Sequence, residues 1–147
     1  EIALCCDFIL MAEDATLALP EVGLGTFVGG GATHVLPRIV GLVRARDLIY
    51  TGRVIDGPAA VDSGLALACH PLERLHDEAR SLARELASKA PASLAFAKKT
   101  LRQGPLQDIA TAMRVEMEAI LACMNSEDWH EGLRAFAEKR KPRFTGR

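Results

Sequence analysis

Hydrophobic and polar positions change rhythm near residue 72. Up to that point, apolar residues come in short runs separated by glycine and turn residues; beyond it they recur at steps of three and four. In the first stretch, Asp7 to Ala12 predicts a buried strand with Glu13-Asp14 as its turn, and Thr16 to Leu19 a second strand ending at Pro20. Runs this short, without strict alternation, predict strands buried on both faces. The loop Gly23 to Gly31 follows. Thr33 to Val40 predicts a helix that Pro37 bends or splits, and Leu42 to Tyr50 another with Gly52 as its stop. Asp56-Gly57-Pro58 opens a short helix through Asp62, because proline is tolerated in a first turn. Leu65 to Cys69 then predicts a strand.

The second stretch is helical. Leu72, Leu75, Ala79, Leu82 and Leu86 mark one helix face. Pro91 starts a helix carrying Leu94, Ala97 and Leu101, and Gly104-Pro105 breaks it. Leu106, Ile109, Met113, Met117, Ile120 and Met124 stripe a long helix; such a stripe reads as core or subunit interface. Asn125-Ser126 caps a final helix with Trp129, Leu133 and Phe136 on its apolar face. The expected fold class is α/β.

Composition narrows the function. With 147 residues, 49% hydrophobic and 25% charged, the chain can bury a sizeable core. Its apolar runs are too short to span a bilayer, so no membrane association is expected. A net charge of −1 argues against a nucleic-acid surface. Cys5, Cys6, Cys69 and Cys123 show no Cys-x-x-Cys spacing and read as buried free thiols. The four histidines show no paired ligand spacing, so no metal site is expected. No targeting signal is visible in these residues, and a cytoplasmic location is expected. The chain opens on Glu1 and enters an apolar segment at once, which reads as the C-terminal part of a longer protein.

Two glutamates carry the candidate chemistry. Glu1 and Glu21 stand twenty residues apart, each beside apolar neighbours. A carboxylate desolvated in such surroundings has its pKa raised, which suits proton transfer near neutral pH. Two meeting at one pocket could take and give protons in one reaction; the competing reading is that both are solvated surface residues. The glycine run fits neither a dinucleotide fingerprint nor a Walker loop, since Gly31 stands where a lysine is required. It reads instead as a loop whose backbone closely approaches another group.

The segments Glu1–Asp7, Leu19–Gly25, Leu36–Gly41, Leu48–Asp56 and Phe136–Phe144, in this order and spacing, resemble the enoyl-CoA hydratase/isomerase (crotonase) superfamily. The resemblance implies a partial crotonase-like ββα spiral over residues 1–72, followed by a helical trimerisation region over 73–147. It implies hydration of a trans-2-enoyl-CoA to a 3-hydroxyacyl-CoA, with Glu1 and Glu21 as the catalytic pair. Isomerisation, thioester hydrolysis and an inactive assembly role are the alternatives. By the same resemblance, Gly29 and Val28 border the substrate, and Phe136 and Lys139 meet the adenine and 3′-phosphate end of CoA, often across a subunit boundary. The implied partners are an acyl-CoA thioester and further copies of the chain in a trimer or hexamer. No separate cofactor is implied, because CoA belongs to the substrate. The backbone oxyanion donors of the family would lie before residue 1. Val28, Ala32 and His34 depart from the family's usual proline, glycine and glutamine, which leaves the acyl group open. His34 reads either as an added acid or base or as a supporting residue behind the pocket. Arg140 and Lys141 read as solvated.

Overall fold

The computed structural model describes residues 1–147. It divides into two compact units, Glu1–Arg80 and Ser81–Arg147.

The first unit holds the four short strands. β1 (Leu10–Ala12) pairs in parallel with β4 (Ala68–His70), with Met11 opposite Cys69. β2 (Thr16–Leu17) pairs antiparallel with β3 (Ile55–Asp56). The expected first strand is shortened, because Asp7 and Phe8 are exposed and lie outside the ladder. The expected strand at Leu65–Cys69 is shifted towards the C-terminus. The amides of Leu65 and Ala66 both donate to the Ala60 carbonyl, so the chain is still turning there.

Three helices cover these strands. α1 (Ala32–Val40) keeps its course through Pro37, which leaves the Thr33 carbonyl without its usual amide donor. α2 (Leu42–Thr51) ends where the Gly52 amide, at φ 60°, donates to the Leu48 carbonyl. α3 (Gly57–Asp62) begins at Asp56, whose carboxylate accepts the Ala59 amide, with Pro58 in the first turn. Leu36 of α1 and Leu48 of α2 are the largest fully buried side chains. Burial of this kind stabilises by about 1.5–3 kcal/mol per leucine. Met11, Leu19, Val28 and Ala60 complete the centre of the same cluster.

α4 (Leu72–Ala87) contains the boundary between the units. The second unit continues with α5 (Pro91–Gln103), a 3-10 turn at Gly104–Leu106, α6 (Ile109–Met124) and α7 (Glu127–Ala137). The stripe expected from Leu106 begins as an α-helix only at Ile109, because Asp108 caps it by accepting the Thr111 amide. Ser126 caps α7 by accepting the Trp129 amide. The cysteine expectation is half corrected. All four thiols are free, but Cys5 and Cys6 are exposed, and Cys69 and Cys123 are only partly buried. Cys5 and Cys6 sit at the end of a 3-10 turn that buries only Leu4.

No helix is long and apolar enough to cross a membrane, and no cluster of three or more His, Cys, Asp or Glu side chains is placed to hold a metal ion.

Gly57 fixes α3 against the parallel pair. A Cβ there would lie 2.6 Å from the Ala12 carbonyl oxygen and 3.1 Å from the Cys69 Cβ. Backbone cannot yield as a flexible side chain does, so Gly57→Ala is expected to destabilise the fold by about 1–3 kcal/mol. Urea denaturation checks this, and an unchanged midpoint would contradict the packing described.

Candidate active site

Glu1 and the glycine loop meet directly. The Gly29 amide donates to Glu1 Oε1 at 2.5 Å. A Cβ on Gly29 would lie 3.0 Å from that same oxygen, and one on Gly30 would lie 2.9 Å from the Glu1 Cβ. Gly30 also has φ 58°, a conformation that glycine adopts without steric cost. Backbone thus lies against Glu1 more closely than most side chains allow. The sequence pattern signalled a close approach, and Glu1 is the group approached.

Elements on both sides hold the loop. Val28, immediately before Gly29, is 7% exposed and packs into the core. Its side chain is turned to the interior. On the far side Gly31, at φ 77°, starts α1, and its carbonyl accepts the His34 and Val35 amides. Leu4, in the 3-10 turn that follows Glu1, is buried in the core. The Cys5 thiol reaches the Gly30 carbonyl at 3.9 Å, so the opening segment touches the loop at two points.

Glu21 begins a 3-10 turn, Glu21–Leu24, within what the sequence suggested was loop. Its carbonyl accepts the Thr26 amide at 3.0 Å, and Gly25, at φ 74°, closes the turn. The end of α2 presses on the preceding residue: a Cβ at Gly52 would stand 3.2 Å from the Pro20 Cα. Glu21 is half-buried, and its Oε2 is fully screened from solvent with no hydrogen-bond partner. A buried unsatisfied polar atom costs about 1–3 kcal/mol, so such an atom calls for a reason. Downstream of Glu21, Leu24 is 74% exposed and Phe27 67% exposed. His34 is exposed on the first turn of α1, and its carbonyl accepts a hydrogen bond from Arg38 Nη1.

The remaining candidates belong to the second unit. Phe136 is 85% exposed near the end of α7, and Lys139 is exposed in the turn that follows. Arg140 is exposed, as expected, but it is also paired with carboxylates. Its guanidinium forks onto Glu131, Nη1 to Oε1 at 2.6 Å and Nη2 to Oε2 at 3.0 Å, and its Nε donates to Glu138. The Arg143 amide donates to Glu131 as well, and the Thr145 and Gly146 amides donate to the two oxygens of Asp128. Asp128 is only 3% exposed. Sequence reasoning did not see that these two acids hold the tail. Their three-residue spacing on α7 is visible, but their partners lie nine to eighteen residues away in a tail with no periodic signal.

The comparisons agree with this geometry. The profile of the enoyl-CoA hydratase/isomerase family matches residues 1–147. The chain is 39% identical to a crotonyl-CoA hydratase of Syntrophomonas wolfei, over 98% of this chain and 55% of that protein. It is 36% identical to the mitochondrial methylglutaconyl-CoA hydratase of Rattus norvegicus, over 99% of this chain and 48% of that one. The crystal structure of an enoyl-CoA hydratase from Bacillus anthracis superposes with a TM-score of 0.94 at 38% identity, covering 98% of this chain and 56% of that one. The architecture is thus part of the crotonase-type α/β fold. The chain belongs to the enoyl-CoA hydratase/isomerase family and spans about half the length of the relatives it matches.

The Glu131 carboxyl is held at about 2, below its ordinary 4.5. The Arg140 hydrogen bond is the largest cause and the Arg143 amide the next. A depressed folded pKa means that its contribution to stability is complete above about pH 4.5 and is lost as the pH falls through about 2. Carboxyl-carbon NMR is expected to give a midpoint near 2, with the Arg143 amide shift following it. A midpoint at the ordinary value would contradict the arrangement of the tail.

Proposed function

We propose that the protein adds water across the C2–C3 double bond of a trans-2-enoyl-CoA, giving a 3-hydroxyacyl-CoA. The observation that carries this reading is the Glu1 carboxylate set on the Gly29 amide, at the loop that directly follows Glu21. The amide orients Glu1 through Oε1 and leaves Oε2 to bind a water. The screened, unpartnered Oε2 of Glu21 offers a second acceptor or, when protonated, a donor. One carboxylate takes the proton as the water oxygen bonds to C3, and the other supplies a proton to C2. The thioester oxygen gains enolate character. By the family resemblance its backbone N–H donors would stand before residue 1, and each would be worth roughly 3 kcal/mol of barrier. The hydratase names of the relatives support the same reading.

The substrate's CoA portion accounts for Phe136 and Lys139. An exposed aromatic ring suits the adenine, and an ammonium suits the 3′-phosphate as a point charge. No separate cofactor enters the proposal.

The helical region has an uncovered apolar face. Ile109, Met113 and Met117 on α6 are all more than half exposed, and Leu101 on α5 is 77% exposed. We read this face as a contact between copies of the chain. Light scattering of the full-length protein is expected to give a trimer or a multiple of it, and Met117→Lys to lower the mass. A monomer at micromolar concentration would remove the subunit-contact reading.

The hydration reading is tested by following the conjugated absorbance of a short enoyl-CoA with full-length protein, wild type and Glu21→Gln. The band is expected to disappear with the wild type and to decay at least about 10²-fold more slowly with the variant, as expected for the loss of a positioned acid or base. Persistence of the band across short, long and aromatic enoyl chains would overturn the reading.

A further inference from the structure

Lys139 is the only residue other than glycine with a positive φ, at 53°. It sits where α7 ends in a tight reversal. The Glu138 amide donates to the Arg134 carbonyl at 2.9 Å, the Lys139 amide to Phe136 at 3.2 Å, and the Arg140 amide to Ala135 at 3.0 Å. Helices that end in this way usually place glycine at the left-handed position. A side chain there adds strain that glycine escapes. Something must hold the turn against that cost.

The holding groups are Asp128 and Glu131, which lie one turn apart on α7. Glu131 binds Arg140, the residue next to Lys139, by a two-bond fork, and also accepts the Arg143 amide. Asp128 accepts the Thr145 and Gly146 amides at 2.7 and 2.9 Å, and its own amide donates to the Arg147 carbonyl at 3.2 Å. The chain beyond the turn therefore folds back along α7, and Phe144 comes to rest beside Gly132. Charge-assisted bonds are stronger than neutral ones, and several acting together offset the strain at one lysine. Arg140 is taken up by carboxylates, whereas the Lys139 side chain stays exposed.

We propose that Glu131 and Asp128 are positioning residues for substrate binding: by clamping the returning tail they impose the left-handed turn at Lys139 and so aim its ammonium at the phosphate-bearing end of the CoA thioester. This rests on the reading of Lys139 given under Proposed function. The clamp touches no reacting atom, so its effect falls on KM and not on kcat. It also falls selectively on the substrate that carries the phosphate.

The test is steady-state kinetics of the full-length protein with an enoyl-CoA and its 3′-dephospho analogue. The wild type is expected to favour the phosphorylated substrate, and Lys139→Ala to abolish that preference. Glu131→Gln is expected to raise KM for the phosphorylated substrate about tenfold, with kcat within about twofold, and to leave the dephospho substrate almost unaffected; tenfold corresponds to about 1.4 kcal/mol. Combined with Lys139→Ala, it should add no further loss. Arg140→Lys keeps the charge but loses the fork, and is the milder variant should Glu131→Gln fail to fold; the same selective KM rise is expected. A lower Tm with the wild-type substrate preference intact in either variant would overturn the clamp while leaving Lys139 as a ligand. Equal KM for both substrates in the wild type would overturn the Lys139 reading, and the clamp with it.

Discussion

The first unit is organised around one short hydrogen bond, the Gly29 amide to the Glu1 carboxylate. Two consecutive residues bring bare backbone against the glutamate, with tight space for a Cβ at Gly29 and none at Gly30 without a shift of Glu1. The loop must then be held from both sides without using its own side chains. Val28 anchors one end in the core, and α1 extends from the other, with Ala32 and Leu36 fully buried. The core beneath the loop therefore serves as its foundation. Loss of volume at Leu36 would be felt at the carboxylate through α1, because close-packed interiors transmit strain.

The second unit solves a related problem by the same means. Asp128 and Glu131 hold a segment without regular structure by accepting its backbone amides, as Glu1 does for the loop. An ionised carboxylate is a strong acceptor and satisfies donors that no ladder or helix reaches. In all three places a carboxylate takes the role that neighbouring strands or turns play elsewhere.

Much of the architecture was legible in the sequence, because it is encoded locally. Asp56-Gly57-Pro58 announced the start of α3 and Gly52 the end of α2, since capping and left-handed closure depend on the residue itself. The leucines from 72 to 86 announced α4 by their spacing. The losses came where a few residues answer to distant partners. Four residues at Glu21–Leu24 are too few to show a period. β4 is set three residues later than the apolar run Leu65–Cys69 suggests, because the Ala60 carbonyl holds Leu65 and Ala66 in a turn. The two glutamates and the glycine approach were read from composition and resemblance. The fate of Arg140 was not, since its carboxylate lies nine residues back on a helix face that a sequence does not orient towards a tail.

The glycine loop separates two kinds of change that evolution can make. A side chain at Gly30 would meet the Glu1 Cβ at 2.9 Å from a left-handed backbone, so that position resists drift. Phe27, three residues earlier, is 67% exposed and carries none of that burden. The boundary between what must stay and what can vary runs within one short loop. A lineage built on this scaffold is free to remodel the loop's outer side while the contact with Glu1 is inherited unchanged.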